Sequence, residues 1–107
     1  MNQYLYRLEL TRPAMLSEGP TEAESGAVSA HFAYLQDLQA KGVVLMAGRT
    51  QDKGPQTFGI CVFQAESDAV AQTLINQDPA VLQGVMRAVL FPFRIALWSS
   101  RGPQDMT

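Results

Sequence analysis

Between Tyr4 and Leu10 the residues follow a period of two, Tyr4, Tyr6, Leu8 and Leu10 against Leu5, Arg7 and Glu9, which predicts a first strand with unequal faces. Thr11 to Pro20 carries two prolines, a glycine and no period, and reads as a loop long enough to be mobile or to cover something. The period then changes. Val28, His31, Phe32, Leu35 and Leu38 recur at spacings of three and four, the stripe of a helix packed on one side, and His31 falls on or beside it. This helix opens at Thr21-Glu22-Ala23-Glu24, a capping box in which the threonine hydroxyl accepts the Glu24 N–H and the glutamate reaches back. Gly42 stops it.

Val43 to Thr50 is an apolar run whose polar end comes only after Gly48, Gln51 to Gln56 is a turn around Gly54-Pro55, and Thr57 to Gln64 returns as the second arm of a hairpin. In the returning strand Phe58, Ile60 and Val62 oppose Gly59, Cys61 and Phe63, so neither face looks wet. Ser67 caps a short helix that ends at Asp78-Pro79, because a residue before proline leaves the α region and proline has no N–H to donate. Ala80 to Gln83 adds a turn before Gly84. Val85 to Trp98 is apolar at both parities and predicts a long last strand in which Pro92 marks a bulge or an edge. The order is βαββαβ, an α+β ferredoxin-like unit whose antiparallel sheet carries both helices on one face. The other face would be bare, and the apolar residues there predict a second copy covering it in a homodimer. Residues 1–98 make one domain, and residues 99–107, without pattern, a tail.

A chain of 107 residues with 47% apolar and 17% charged content is one soluble globular domain. Its net charge of −2 is scattered singly, with no basic stripe to neutralise phosphates, so nucleic acid is not an expected partner. No run of about twenty apolar residues exists to span a membrane, and the first residues lack the basic and apolar regions of a secretion signal. Cys61 is the one cysteine, sits in an apolar run and fits a reducing, cytoplasmic setting.

The chemistry is narrowed by scarcity. There is a single histidine, His31, and Asp78 is a carboxylate freed from helical geometry at a helix end. If the fold joins them, the carboxylate fixes the imidazole tautomer and leaves the other ring nitrogen as acid or base. The plainer alternative is a packed helix residue and an aspartate that only ends a helix. Ser29 lies on a different helix face from His31, and Cys61 has no motif beside it, so nucleophilic hydrolysis is disfavoured. One histidine and one cysteine do not make a transition-metal site, and a haem would lack supporting residues, so neither metal nor cofactor is expected. Arg7, Arg49, Arg87 and Arg94 lie near strands. Arg49, at a strand end beside Gly48, is the preferred anchor for the carboxylate or phenolate of a small acid. Tyr6, with Tyr4, offers aromatic surface and an O–H, either lining a pocket or in the core with the hydroxyl at its rim.

The His31-Phe32-Ala33-Tyr34-Leu35-Gln36-Asp37-Leu38 helix followed by Gly42, the strand end Leu45-Met46-Ala47-Gly48-Arg49, the Asp78 to Val85 segment and Phe91-Pro92-Phe93 together resemble the YCII-related proteins of the dimeric α/β-barrel superfamily. The resemblance implies the same βαββαβ unit, a homodimer, and a pocket in which the helix histidine and the aspartate before proline pair, the positions of His31 and Asp78. Arg49 departs from the Gly-Pro that many relatives carry there and changes the pocket rim. Related barrels include lactone isomerases, a dechlorinating enzyme and haem proteins. The expectation is acid-base chemistry of an isomerase or lyase type on a small cyclic or aromatic acid, with His31 and Asp78 as catalytic residues and Arg49 and Tyr6 binding the substrate. The alternative is a non-catalytic module that binds a small ligand or a partner.

Overall fold

The computed structural model describes residues 1–104. In chain order the elements are β1 (Asn2–Leu10), α1 (Met15–Glu18), α2 (Glu22–Ala40), β2 (Val44–Arg49), β3 (Gly59–Ala65), α3 (Asp68–Asn76), α4 (Pro79–Leu82) and β4 (Met86–Phe93). The strands form one sheet in the order β2-β3-β1-β4, every neighbouring pair antiparallel. This is the expected ferredoxin-like order with two short helices added.

The alternation in β1 becomes two faces. Tyr4, Tyr6 and Leu8 are buried against Cys61, Phe63 and Ala65 of β3, and Leu35 of α2 with Ala71 and Ile75 of α3 close the same core from above. Such a two-layer packing removes one sheet face and one stripe of each helix from water. On α2 the buried stripe runs through Ala27, Leu35 and the half-buried His31, Tyr34 and Leu38. Phe32, expected on that stripe, is 62% exposed, because the 3.6-residue repeat carries the packed face through Tyr34 instead. The Tyr34 hydroxyl donates to the Leu74 carbonyl at 2.6 Å and ties α2 to α3. The capping box is present, with Glu24 N–H on Thr21 Oγ1 at 3.1 Å and Thr21 N–H on Glu24 Oε1 at 2.8 Å.

Two expectations change. The loop over residues 11–20 contains α1, a single turn that follows Pro13 and buries Met15, too short to show a period in sequence. The last strand stops at Phe93 rather than Trp98, because its partner β1 runs out: Gln3 opposite Phe93 is the final pair, and Gln3 Oε1 then accepts the Ile95 N–H at 2.7 Å. Pro92 sits in β4 at the edge of the sheet, opposite Tyr4 and without a register shift, so it marks an edge and not a bulge. The expected tail over residues 99–107 falls partly on residues 105–107, outside the described residues; residues 99–104 form no helix or strand.

The sheet face away from the helices carries Met46, Val89, Phe91 and Phe93, each between 42% and 53% exposed. On β4 it is therefore Met86, Ala88 and Leu90 that pack on the helix-side core and the odd positions that face outward. No helix among the described residues is long and apolar enough to cross a membrane.

Candidate acid-base site

The site is assembled where α2 lies against α4 above β1. Asp78 is the N-cap of α4, held at φ −61° and ψ 123° by the proline that follows, and Pro79 takes the first helical position, where a missing N–H does no harm. The cap is a working one, since Asp78 Oδ1 accepts the Ala80 N–H at 3.0 Å.

Asp78 has no solvent exposure. A buried carboxylate is tolerated only with its oxygens answered, and here each one is. The Tyr6 hydroxyl donates to Oδ2 at 2.9 Å. His31 Nδ1 lies 2.8 Å from Oδ1 and 2.7 Å from Oδ2, from a position 47 residues earlier in the chain. An ionised carboxylate only accepts, so beside one the proton belongs on Nδ1. Nε2 is then the ring nitrogen with no partner among the described residues.

His31 also forms part of the wall of a cavity of about 580 Å³. Met15 and Leu16 of α1, Phe32 and Leu35 of α2, and Leu8 and Met86 from the sheet give it a mainly apolar lining. Arg49 is the one guanidinium in this wall, with Nη1 donating to the Thr50 carbonyl at 3.3 Å. Tyr6, expected at the substrate, does not reach the cavity: it is 3% exposed, and its hydroxyl lies behind the pair, on Asp78. Burial, helped by the neighbouring Cys61 and Asp78, pushes the Tyr6 phenol well above its ordinary range and keeps it a donor. Burial likewise pushes the Cys61 thiol up to about 12.

The length of this loop suited a cover, but α1 itself was not legible as part of the cavity wall; an unpatterned loop with one Met-Leu pair carries no such signal. Arg12 fastens this segment, with Nε on Glu24 Oε2 at 2.9 Å and Nη2 on Glu24 Oε1 at 2.7 Å and on the Gly19 carbonyl at 3.1 Å. Among the described residues no group of three His, Cys, Asp or Glu side chains is placed to hold a metal ion. The arrangement can thus accept or deliver a proton at Nε2 and stabilise the imidazolium through Asp78.

The sequence matches the family described as the YCII-related domain over residues 5–94. In structure the chain is similar to the 5-chloro-2-hydroxyhydroquinone dehydrochlorinase of Burkholderia phenoliruptrix AC1100, solved in complex with 2,5-dihydroxybenzoquinone: the TM-score is 0.61 and the identity 20%, over 85% of this chain and 93% of that one. It is also similar to an uncharacterised protein of Thermotoga maritima, with a TM-score of 0.53 and 10% identity over 87% of this chain and 98% of that one. At such identities the likeness is one of fold. A search among curated proteins returned no match.

Proposed function

The chain belongs to the YCII-related domain family, and from that premise we propose that it is a cofactor-independent enzyme moving protons on a small cyclic or aromatic acid, in a step of the isomerase or lyase type. His31 is the acid-base group through Nε2, and Asp78 orients it. The observation that carries this reading is the 2.7–2.8 Å contact of His31 Nδ1 with both oxygens of a fully buried carboxylate, on the wall of a mainly apolar cavity.

In this mechanism Nε2 removes a proton from a C–H or O–H of the substrate, and the imidazolium that forms is stabilised by Asp78. The electron pair left behind either moves along the conjugated system, to be reprotonated at another atom by Nε2–H, or expels a leaving group. Arg49 pairs with the substrate's anionic oxygen, an interaction strengthened by the apolar surroundings. A volume of about 580 Å³ suits one small molecule, since such pockets span roughly 300–1,000 Å³. A second copy of the chain covers the open sheet face in this reading.

The dehydrochlorinase suggests the first compounds to try, hydroxyquinols and their chlorinated forms, followed by aromatic lactones and acids. Turnover is followed by NMR in D₂O, through deuterium uptake or release of the leaving group. His31→Gln should lower kcat by about a hundredfold or more, the usual worth of a positioned acid-base group. Arg49→Ala should raise KM and spare kcat, as loss of uniform binding does. Stoichiometric binding without product, unchanged in His31→Ala, would identify a ligand-binding module instead.

A further inference from the structure

We propose that Tyr6 is a positioning residue for the His31–Asp78 pair: its buried hydroxyl, with the Ala80 N–H, fixes the plane of the Asp78 carboxylate, so that His31 keeps its proton on Nδ1 and offers Nε2 to the cavity. This role rests on the acid-base reading above and adds a third member to it.

The contrast with Tyr4 motivates the assignment. Tyr4 lies two residues earlier on the same face of β1, and its hydroxyl reaches the margin of the core, donating to Asp68 Oδ1 at 2.7 Å at the start of α3. Tyr6 instead directs its hydroxyl inward, to a carboxylate with no exposure. A phenylalanine would fill the same volume without a polar atom to satisfy, so packing alone does not call for the oxygen.

The phenol is also held as a rigid arm. β1 is flanked on both sides, with Cys61 and Leu90 opposite Tyr6 in the two neighbouring strands. The Tyr6 ring stands edge-on to Phe63, centroids 5.6 Å apart and planes at 81°. The hydroxyl oxygen is therefore delivered to one point.

The carboxylate needs such a point. Ala80 N–H holds Oδ1 alone, and one bond leaves rotation about Cβ–Cγ free. The Tyr6 hydroxyl on Oδ2 fixes the second oxygen and with it the plane. Because Nδ1 sits almost equally far from both oxygens, the imidazole follows that plane.

The test uses the full chain with ¹⁵N-labelled histidine, where His31 gives the only imidazole signals. Wild type should show the Nδ1–H tautomer with a slowly exchanging proton. Tyr6→Phe, folded by circular dichroism, should expose a second tautomer and exchange Nδ1–H about tenfold faster, the scale of one lost hydrogen bond to a charged group. 3-Fluorotyrosine at position 6 restores the donor and should return the wild-type tautomer. A folded Tyr6→Phe with wild-type tautomer and exchange rate would overturn the proposal and leave the His31–Asp78 reading intact. Should Tyr6→Phe not fold, 3,5-difluorotyrosine keeps the shape and alters the donor: a shift of the His31 Nδ1 resonance supports the role, and an unmoved resonance overturns it. A wild-type Nε2–H tautomer would remove the acid-base reading itself.

Discussion

Asp78 ends one helix, caps the next and receives the only histidine: its φ and ψ serve the first duty, Oδ1 the second, and both oxygens, Oδ1 again included, the third. The dipeptide Asp78-Pro79 made the first duty legible in sequence, and the stripe of α2 placed His31 on the side where the two could meet. Depth was not legible. Alternation assigns Tyr6 to a face but does not say how far into that face its hydroxyl lies, and this separates a substrate contact from a partner of Asp78. Cys61 gives a test at the same scale. With its thiol pushed up to about 12, chiefly by burial, almost no thiolate exists near pH 8 and no surface is offered to a reagent. Folded protein should react with a disulfide reagent only at the rate at which it opens, and denatured protein at once. Rapid labelling of the folded chain at pH 8 would show that the β3 face under the helices is not closed.

At the scale of elements, the strap from Thr11 to Thr21 is fixed at both ends. Thr11 donates its backbone N–H to the Val85 carbonyl at 3.0 Å, and Thr21 begins α2 as its cap. Between them Arg12 grips Glu24, and Glu24 also accepts the Thr21 N–H, so one carboxylate serves the helix start and the cavity wall together. The Arg12 hydrogen bonds, and next the Thr21 backbone bond, hold the Glu24 carboxyl down to about 2. A folded value below the unfolded 4.5 means that this contribution is complete above about pH 4.5 and is lost as the pH falls toward 2. Hydrogen exchange across residues 12–18 should therefore quicken over that interval in wild type. In Arg12→Ala it should be fast already at neutral pH and change less on acidification; identical profiles for the two proteins would show that the ion pair does not hold the strap. The capping box that anchors α2 could be read from four residues, because its geometry is local. α1 could not, since a single turn has no second turn to repeat, and the end of β4 could not, since it is set by where β1 stops.

At the scale of the whole molecule, the proposed second copy has a definite place to sit. Val89, Phe91 and Phe93 present an apolar row on the outer face of β4, continued across the sheet by Met46 of β2. Sedimentation should give twice the 11.7 kDa of one chain, and Phe91→Glu should yield monomer or aggregate while His31 still meets Asp78. A wild-type monomer at micromolar concentration would remove the dimer. The strand order carries a further consequence, in time rather than in space. β1 is made first but is the neighbour of β4, which is made last, so during synthesis the sheet can assemble only as β2-β3-β1 with β1 as its open edge. The nascent chain then offers the ribosome's surroundings an unpaired strand until Met86–Phe93 emerges. Once β4 docks, the edge passes to a strand containing Pro92, which has no N–H to lend to a stranger.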